Sequence, residues 1–252
     1  MRKQLVSAAV GGALVLALLA SGRVLADPLK DAATAGEAYD RGDYATAVKL
    51  FQSLASEGYP VGQLKLADCY YRGLGIPRNF PEAAFWYRKA ADQGHPVAQN
   101  MLGQLYGAGR GVPKDLEESA RWHRKAAEQG FAPSQVSLGQ MYQKGVGMRA
   151  DVAQALYWFR KAADQGNSDA QVHVGASYLD GIGAPKDYEL AMQWFRKAAD
   201  QKNANAEYNI GSMYLKGWGV PKDHAQAVSW YRLAASQGLE VAKKRLSEIS
   251  AD

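Results

Sequence analysis

The sequence predicts an all-α chain, a solenoid of stacked helix hairpins, and two observations carry that expectation. One is a period of 36 residues: Trp86, Trp122, Trp158, Trp194 and Trp230 keep that step, as do Tyr70, Tyr106, Tyr142, Tyr178 and Tyr214. The other is that apolar and small residues within each period recur at helical spacing and are interrupted by glycine and proline. A unit of this length is too small to bury its own apolar face, so neighbouring copies must stack to complete the core.

The N-terminus carries Arg2 and Lys3, an apolar run from Leu5 to Ala20, and Val24-Leu25-Ala26 before Asp27. That order is the pattern of a secretory signal peptide cleaved after Ala26. The run is shorter than the about 20 apolar residues a span requires, and it contains Ser7, Gly11 and Gly12. A periplasmic or secreted protein with no stable membrane span after cleavage is therefore expected. No cysteine follows the run to accept a lipid.

Residues 27–58 form a degenerate capping hairpin, with Gly36, Tyr39, Gly42-Asp43-Tyr44, Ala47 and Phe51 placed as in a shortened copy. Five full copies follow over 59–94, 95–130, 131–166, 167–202 and 203–238. In the second, Ala98, Leu102, Gly103, Leu105 and Tyr106 make one stripe of a first helix. Gly109-Arg110-Gly111-Val112-Pro113 stops it, since glycine permits φ > 0 and proline cannot continue a helix.

Asp115 then caps a second helix, and Asn79, Asp151, Asp187 and Asp223 hold the same position. Glu82, Glu118, Gln154 and Gln226 sit three residues later and suggest a capping box, with Leu190 the exception. Each second helix ends near a glycine such as Gly130, except where Lys202 replaces it. Gly103, Gly139, Gly175 and Gly211 are expected to let backbones approach closely while Tyr and Trp fill the gaps. Residues 239–252 read as a lone terminal helix, with Lys243, Lys244, Arg245 and Glu248 on a solvated face.

Composition narrows the function. Loss of residues 1–26 removes Arg2, Lys3 and Arg23 and no acid, so the formal charge falls from +5 to +2. A near-neutral chain argues against a nucleic-acid partner. Cys69 is the one cysteine, so stability must come from packing rather than from disulfides.

The spacing Ala170…Val174-Gly175…Tyr178…Gly181-x-Gly183…Lys186-Asp187…Ala191…Trp194…Lys197-Ala198-Ala199 resembles the Sel-one-like repeat, a relative of the tetratricopeptide repeat. The resemblance covers residues 59–238; the front hairpin looks more like a plain tetratricopeptide unit. It implies a right-handed superhelical solenoid of antiparallel helix pairs, with first helices lining a concave surface. It also implies an adaptor or scaffold for protein–protein interaction, in bacteria often at the cell envelope. A cysteine-rich subgroup associated with penicillin binding and β-lactamase activity suggests the alternative of a cell-wall or penicillin-interacting hydrolase, but its paired cysteines are absent here.

Catalytic motifs are missing: neither Ser-x-x-Lys, His-Glu-x-x-His nor Gly-x-Ser-x-Gly occurs. No enzyme activity, cofactor or metal is expected. His123 shares a column with Tyr87, Phe159, Phe195 and Tyr231 and is read as a packed ring. Gly107-Ala108-Gly109-Arg110-Gly111 is read as a turn rather than a phosphate cradle, because the Gly109 and Gly111 pair recurs in all five copies. Cys69 is read as a small core residue and Trp218, off the period, as loop packing. The column of Arg88, Arg124, Arg160, Arg196 and Arg232 is read as an outer face ion-paired to Asp92, Glu128, Asp164 and Asp200, four residues on from the first four.

Three first-helix columns vary between copies and are expected to face a partner. The first holds Leu64, Asn100, Val136, Val172 and Tyr208; the second Asp68, Gln104, Gln140, Ala176 and Ser212; the third Arg72, Ala108, Lys144, Asp180 and Lys216. The expected contact residues are Asn100, Gln104, Val136, Gln140, Lys144, Val172, Tyr208, Ser212 and Lys216. Their mixture of amide, hydroxyl, aromatic and modest charge suits an extended peptide or a partner helix, and would also serve a polysaccharide.

Overall fold

The computed structural model describes residues 27–249, so the signal-peptide expectation lies outside the described residues. Among these there are thirteen helices and no strand. Helices α1 (Pro28–Asp40) and α2 (Tyr44–Ser56) form the front hairpin, and α3 (Pro60–Arg72) pairs with α4 (Phe80–Asp92). Four more hairpins follow: α5 (Pro96–Ala108) with α6 (Leu116–Glu128), α7 (Ala132–Lys144) with α8 (Val152–Ala163), α9 (Ser168–Asp180) with α10 (Tyr188–Ala199), and α11 (Ala204–Lys216) with α12 (His224–Ser236). Helix α13 (Glu240–Ile249) ends the stack. The chain is an all-α repeat solenoid, divided into two compact units after Ala90.

Side-chain caps start every second helix. Asp115, Asp151, Asp187 and Asp223 each accept a hydrogen bond from the backbone N–H three residues on, at 2.9 Å, and Asn79 does so at 3.2 Å. The reciprocal half of a capping box is not made. The N-cap amides instead donate to the carbonyls of Tyr70, Tyr106, Tyr142, Tyr178 and Tyr214, tying both helices of a hairpin together. Glu118, released from that duty, accepts from the Trp122 indole N–H at 2.8 Å. Gly73, Gly109, Gly145, Gly181 and Gly217 end the first helices in the left-handed conformation. Lys202 adopts φ 60° where the other copies use glycine, so the helix does not run on and the lysine is strained.

The small first-helix column makes room for a ring rather than for a neighbouring backbone. A Cβ built on Gly139 would lie 2.6 Å from Phe159, one on Gly175 would lie 2.7 Å from Phe195, and one on Gly211 would lie 2.9 Å from Tyr231. The rings that touch these glycines belong to the residue after the tryptophan. Tyr87, Phe159, Phe195 and Tyr231 are fully buried, whereas Trp86, Trp158, Trp194 and Trp230 are half-buried and only Trp122 is buried. His123 occupies the ring position as expected, buried against Gly103. Cys69 has no exposed surface, and burial pushes its thiol up to about 11, so it is a core residue.

A second, polar ladder runs through the core. Gln99, Gln135 and Gln171 donate to the carbonyls of Ala91, Ala127 and Ala163, at 3.1, 3.1 and 3.3 Å, in the last turn of the preceding second helix. Gln63 does the same to Ala55 in the first unit, at 3.4 Å. Each of the first three also accepts a bond from a glutamine thirty residues later: Gln129 and Gln165 at 2.7 Å, Gln201 at 2.9 Å. These amides satisfy buried polar groups while joining successive hairpins. In the last copy the column holds Glu207, which accepts from Gln237 at 2.7 Å.

Candidate functional site

The three variable columns of the first helices do not share one environment. The first is a packing column. Asn100 is buried and accepts a hydrogen bond from Ser134 Oγ at 2.9 Å, and Leu64 is buried too. Val136 and Val172 are half-buried against core clusters, and Tyr208 lies against Tyr231 with ring centroids 5.3 Å apart. Asn100, Val136 and Val172, expected as contact residues, therefore pack between hairpins instead of forming a free surface. Their column varies because each copy fills the space between hairpins with a different side chain, not because packing ignores it.

The second column answers the chemistry of the buried ring. Where the ring is tyrosine, the facing residue is a hydrogen-bonding partner: Tyr87 donates to Asp68 at 2.5 Å, and Tyr231 Oη lies 3.0 Å from Ser212 Oγ. Where the ring is phenylalanine, the column holds Gln140 or Ala176. Gln140 meets His173 Nε2 at 3.3 Å, and that imidazole stacks on Phe159 at 4.3 Å between centroids. Gln104 is exposed. The third column, including Lys144 and Lys216, is exposed in every copy.

Two clefts in the second unit gather the residues that remain available. Gln104, Gln140 and Lys144 line one of about 290 Å³, with the largely buried Ser119 and His123 at its floor. Tyr208, Ser212 and Lys216 line another of about 390 Å³, together with Trp218 and residues of α13. Trp218 is half-buried and stacks on Tyr188 at 6.0 Å, so it packs the loop as expected and also walls this cleft.

The second-helix arginines depart from expectation. Arg124, Arg160 and Arg196 do not bridge to the acids four residues on; they donate to the hydroxyls of Tyr142, Tyr178 and Tyr214, at 2.8, 3.5 and 3.4 Å. A tyrosine of the next hairpin is the nearer acceptor, and the acids are left to solvent. Lysines one residue on lie over rings instead, Lys125 over Trp122 at 4.0 Å and Lys197 over Trp194 at 4.2 Å. The three arginines thus join successive hairpins, while the lysine–ring contacts stay within one helix.

A serine and a histidine do meet in the core. His123 Nδ1 lies 3.5 Å from Ser134 Oγ, and Ser134 has no exposed surface. Burial pushes the His123 imidazole down to about 4, so it is neutral at ordinary pH. Among the described residues, no helix is long and apolar enough to cross a membrane.

Comparison with known proteins agrees with this architecture. The Sel1 repeat model matches residues 35–59, 60–95, 96–131, 132–167, 168–203 and 204–239, so the shortened front hairpin is matched as well. A Sel1 repeat protein from Oxalobacter formigenes superposes with a TM-score of 0.82 at 34% identity, covering 87% of each chain. A protective antigen of uropathogenic Escherichia coli strains that displays an SLR fold gives 0.79 at 36% identity over 85% of this chain. This chain spans only 47% of that antigen's length. No curated protein matches the sequence.

Proposed function

The chain belongs to the Sel1 repeat family, and on that premise we propose that it is an exported adaptor of the bacterial cell envelope that holds a protein partner on its first-helix face. Sel1 repeat proteins are helical-repeat scaffolds for protein interaction and are generally not enzymes. The observation that carries the reading is the division of labour on the first helices. The fold claims the glycine, glutamine and Asn100 columns, yet leaves Gln104, Lys144 and Lys216 exposed beside two clefts.

Export is supported by the N-terminal pattern of Arg2 and Lys3, the apolar run to Ala20 and the small residues up to Ala26. Asp27, the first residue left by cleavage after Ala26, accepts from Leu29 N–H at 3.1 Å and caps α1, and Pro28 follows at the first helical position. The Escherichia coli relative is described as a protective antigen, which fits a family member reaching the cell exterior. Intact-mass measurement of periplasmic protein should give a chain starting at Asp27. A retained N-terminus in the membrane fraction would refute cleavage.

Crosslinking in the native cell followed by mass spectrometry identifies the partner. With it in hand, replacing Gln104, Gln140 and Lys144 together by alanine should weaken capture at least tenfold, equivalent to about 1.4 kcal/mol, with the helical content unchanged. Normal capture by that variant, with loss on replacing Arg121 and Lys161 of the second helices, would move the site to the other face.

A further inference from the structure

From the cleft at the C-terminal end of the stack we infer a docking site for an acidic peptide segment of a partner protein, in which bulky apolar side chains are flanked by aspartate or glutamate. This rests on the first-helix face being the binding face and names the chemistry it selects.

The cleft is built where two irregular features of the sequence meet. One is Trp218, the tryptophan that departs from the 36-residue step. The other is α13, which has no second helix to pair with. Ala242 and Ile249 of α13 are buried and Leu246 packs on the last hairpin. The adjacent stripe of Val241, Lys244, Arg245 and Glu248 lines the cleft. Lys243 alone of its basic run turns aside, pairing with Glu240 at 2.7 Å. The expected solvated face of α13 is thus divided, and three of its four charged residues wall a cavity.

Charge and apolar surface are both concentrated there. Leu179, Leu215, Val241 and the Trp218 ring give room for a large apolar side chain in about 390 Å³. Around them stand Lys216, Lys244 and Arg245, with Glu248 already engaged by Arg245 at 2.7 Å. A neighbouring depression shares Lys216, Arg245 and Glu248 and adds Lys222 and His224. Among the described residues, four permanent cations therefore face one carboxylate, on a chain whose formal charge after cleavage at Ala26 is only +2. Lys216 and Lys244 carry no ion pair among the described residues. A polyanion would have no use for the apolar wall, and a purely apolar ligand none for the lysines. A segment that alternates the two satisfies both.

The test uses the whole chain from Asp27 to Asp252 and fluorescence anisotropy. The probes are a labelled nonapeptide with Leu-Phe flanked on each side by acidic residues, the same peptide with Asn and Gln for the acids, and a labelled oligouridylate. The acidic peptide should bind at least tenfold more tightly than the other two. That preference should vanish in the double variant Lys216→Glu, Lys244→Glu, whose positions are exposed and whose melting temperature should not move. Trp218→Ala should weaken the acidic peptide as well. Equal binding of the two peptides, a preference that survives the double charge reversal, or equally tight binding of the oligouridylate would overturn the inference. Should it fall while a native partner still crosslinks at Gln104 or Lys144, the first-helix reading stands without it; no crosslink at either would sink both.

Discussion

A Cβ on Gly139 would come within 2.6 Å of the Phe159 ring, which itself is 1% exposed. The first helix thus rests directly on the aromatic ring of its own hairpin partner, and the same relationship recurs between Gly175 and Phe195. Alanine at Gly139 should gain about 0.8–1.0 kcal/mol of helix propensity but lose about 1–3 kcal/mol to overpacking. The net expectation is destabilisation. At Gly103 the nearest His123 atoms lie at 3.0 Å, so Gly103→Ala should cost less than Gly139→Ala. Paired urea denaturation curves measure the order; the reverse order would show that the ring yields freely.

Phe159→Ala should destabilise by about 3–5 kcal/mol, the usual range for a buried aromatic ring. Trp158 carries the more conspicuous period but is half-buried, so Trp158→Ala should cost clearly less. Thermal melts of the two variants decide which ring is the keystone.

Glu207 stands where other copies place glutamine. Burial raises its carboxyl above the ordinary range, while Gln237 opposes that by donating to it. As a carboxylate it cannot donate to the Ala199 carbonyl as its counterparts do to theirs. A raised folded-state value means the group favours folding at low pH, with that benefit lost as pH rises through the folded value. Glu207→Gln should therefore stabilise at neutral pH by about 1 kcal/mol, with the gain shrinking on acidification. Denaturant midpoints at neutral and acidic pH test it.

His123 carries the opposite sign. Burial holds its imidazole at about 4, against an ordinary 6.5. Its contribution to stability is complete above about 6.5 and lost as pH falls through that window to about 4. The loss should reach about 3 kcal/mol. His123→Phe, which restores the residue of Phe159 and Phe195, should flatten the acid limb of the stability profile relative to the native chain. An unchanged acid limb would show that His123 is already hydrated.

Repetition made the hairpins and their Asp and Asn caps legible, because the same residue at the same step signals one structural duty. The buried glutamines keep the same step at Gln63, Gln99, Gln135 and Gln171, but an amide does not extend an apolar stripe. The pairing of Arg124 with Tyr142 was hidden for a different reason. It joins helices of successive hairpins eighteen residues apart, whereas the acid four residues on looks like the natural partner within one helix. Asn100 misled because variability in one chain looks like freedom. Only its bond to Ser134 shows that a variable column is also a packed one.

Site-specific photocrosslinking tests the central claim, that a partner is held on the first-helix face. A benzophenone amino acid would be placed singly at Gln104, Lys144 and Lys216 on first helices, and at Arg121 and Lys161 on second helices, all exposed positions. On irradiation of intact cells, adducts of one partner should form from the first three positions and not from the last two. Adducts confined to Arg121 and Lys161 would contradict the account and place the partner on the second helices.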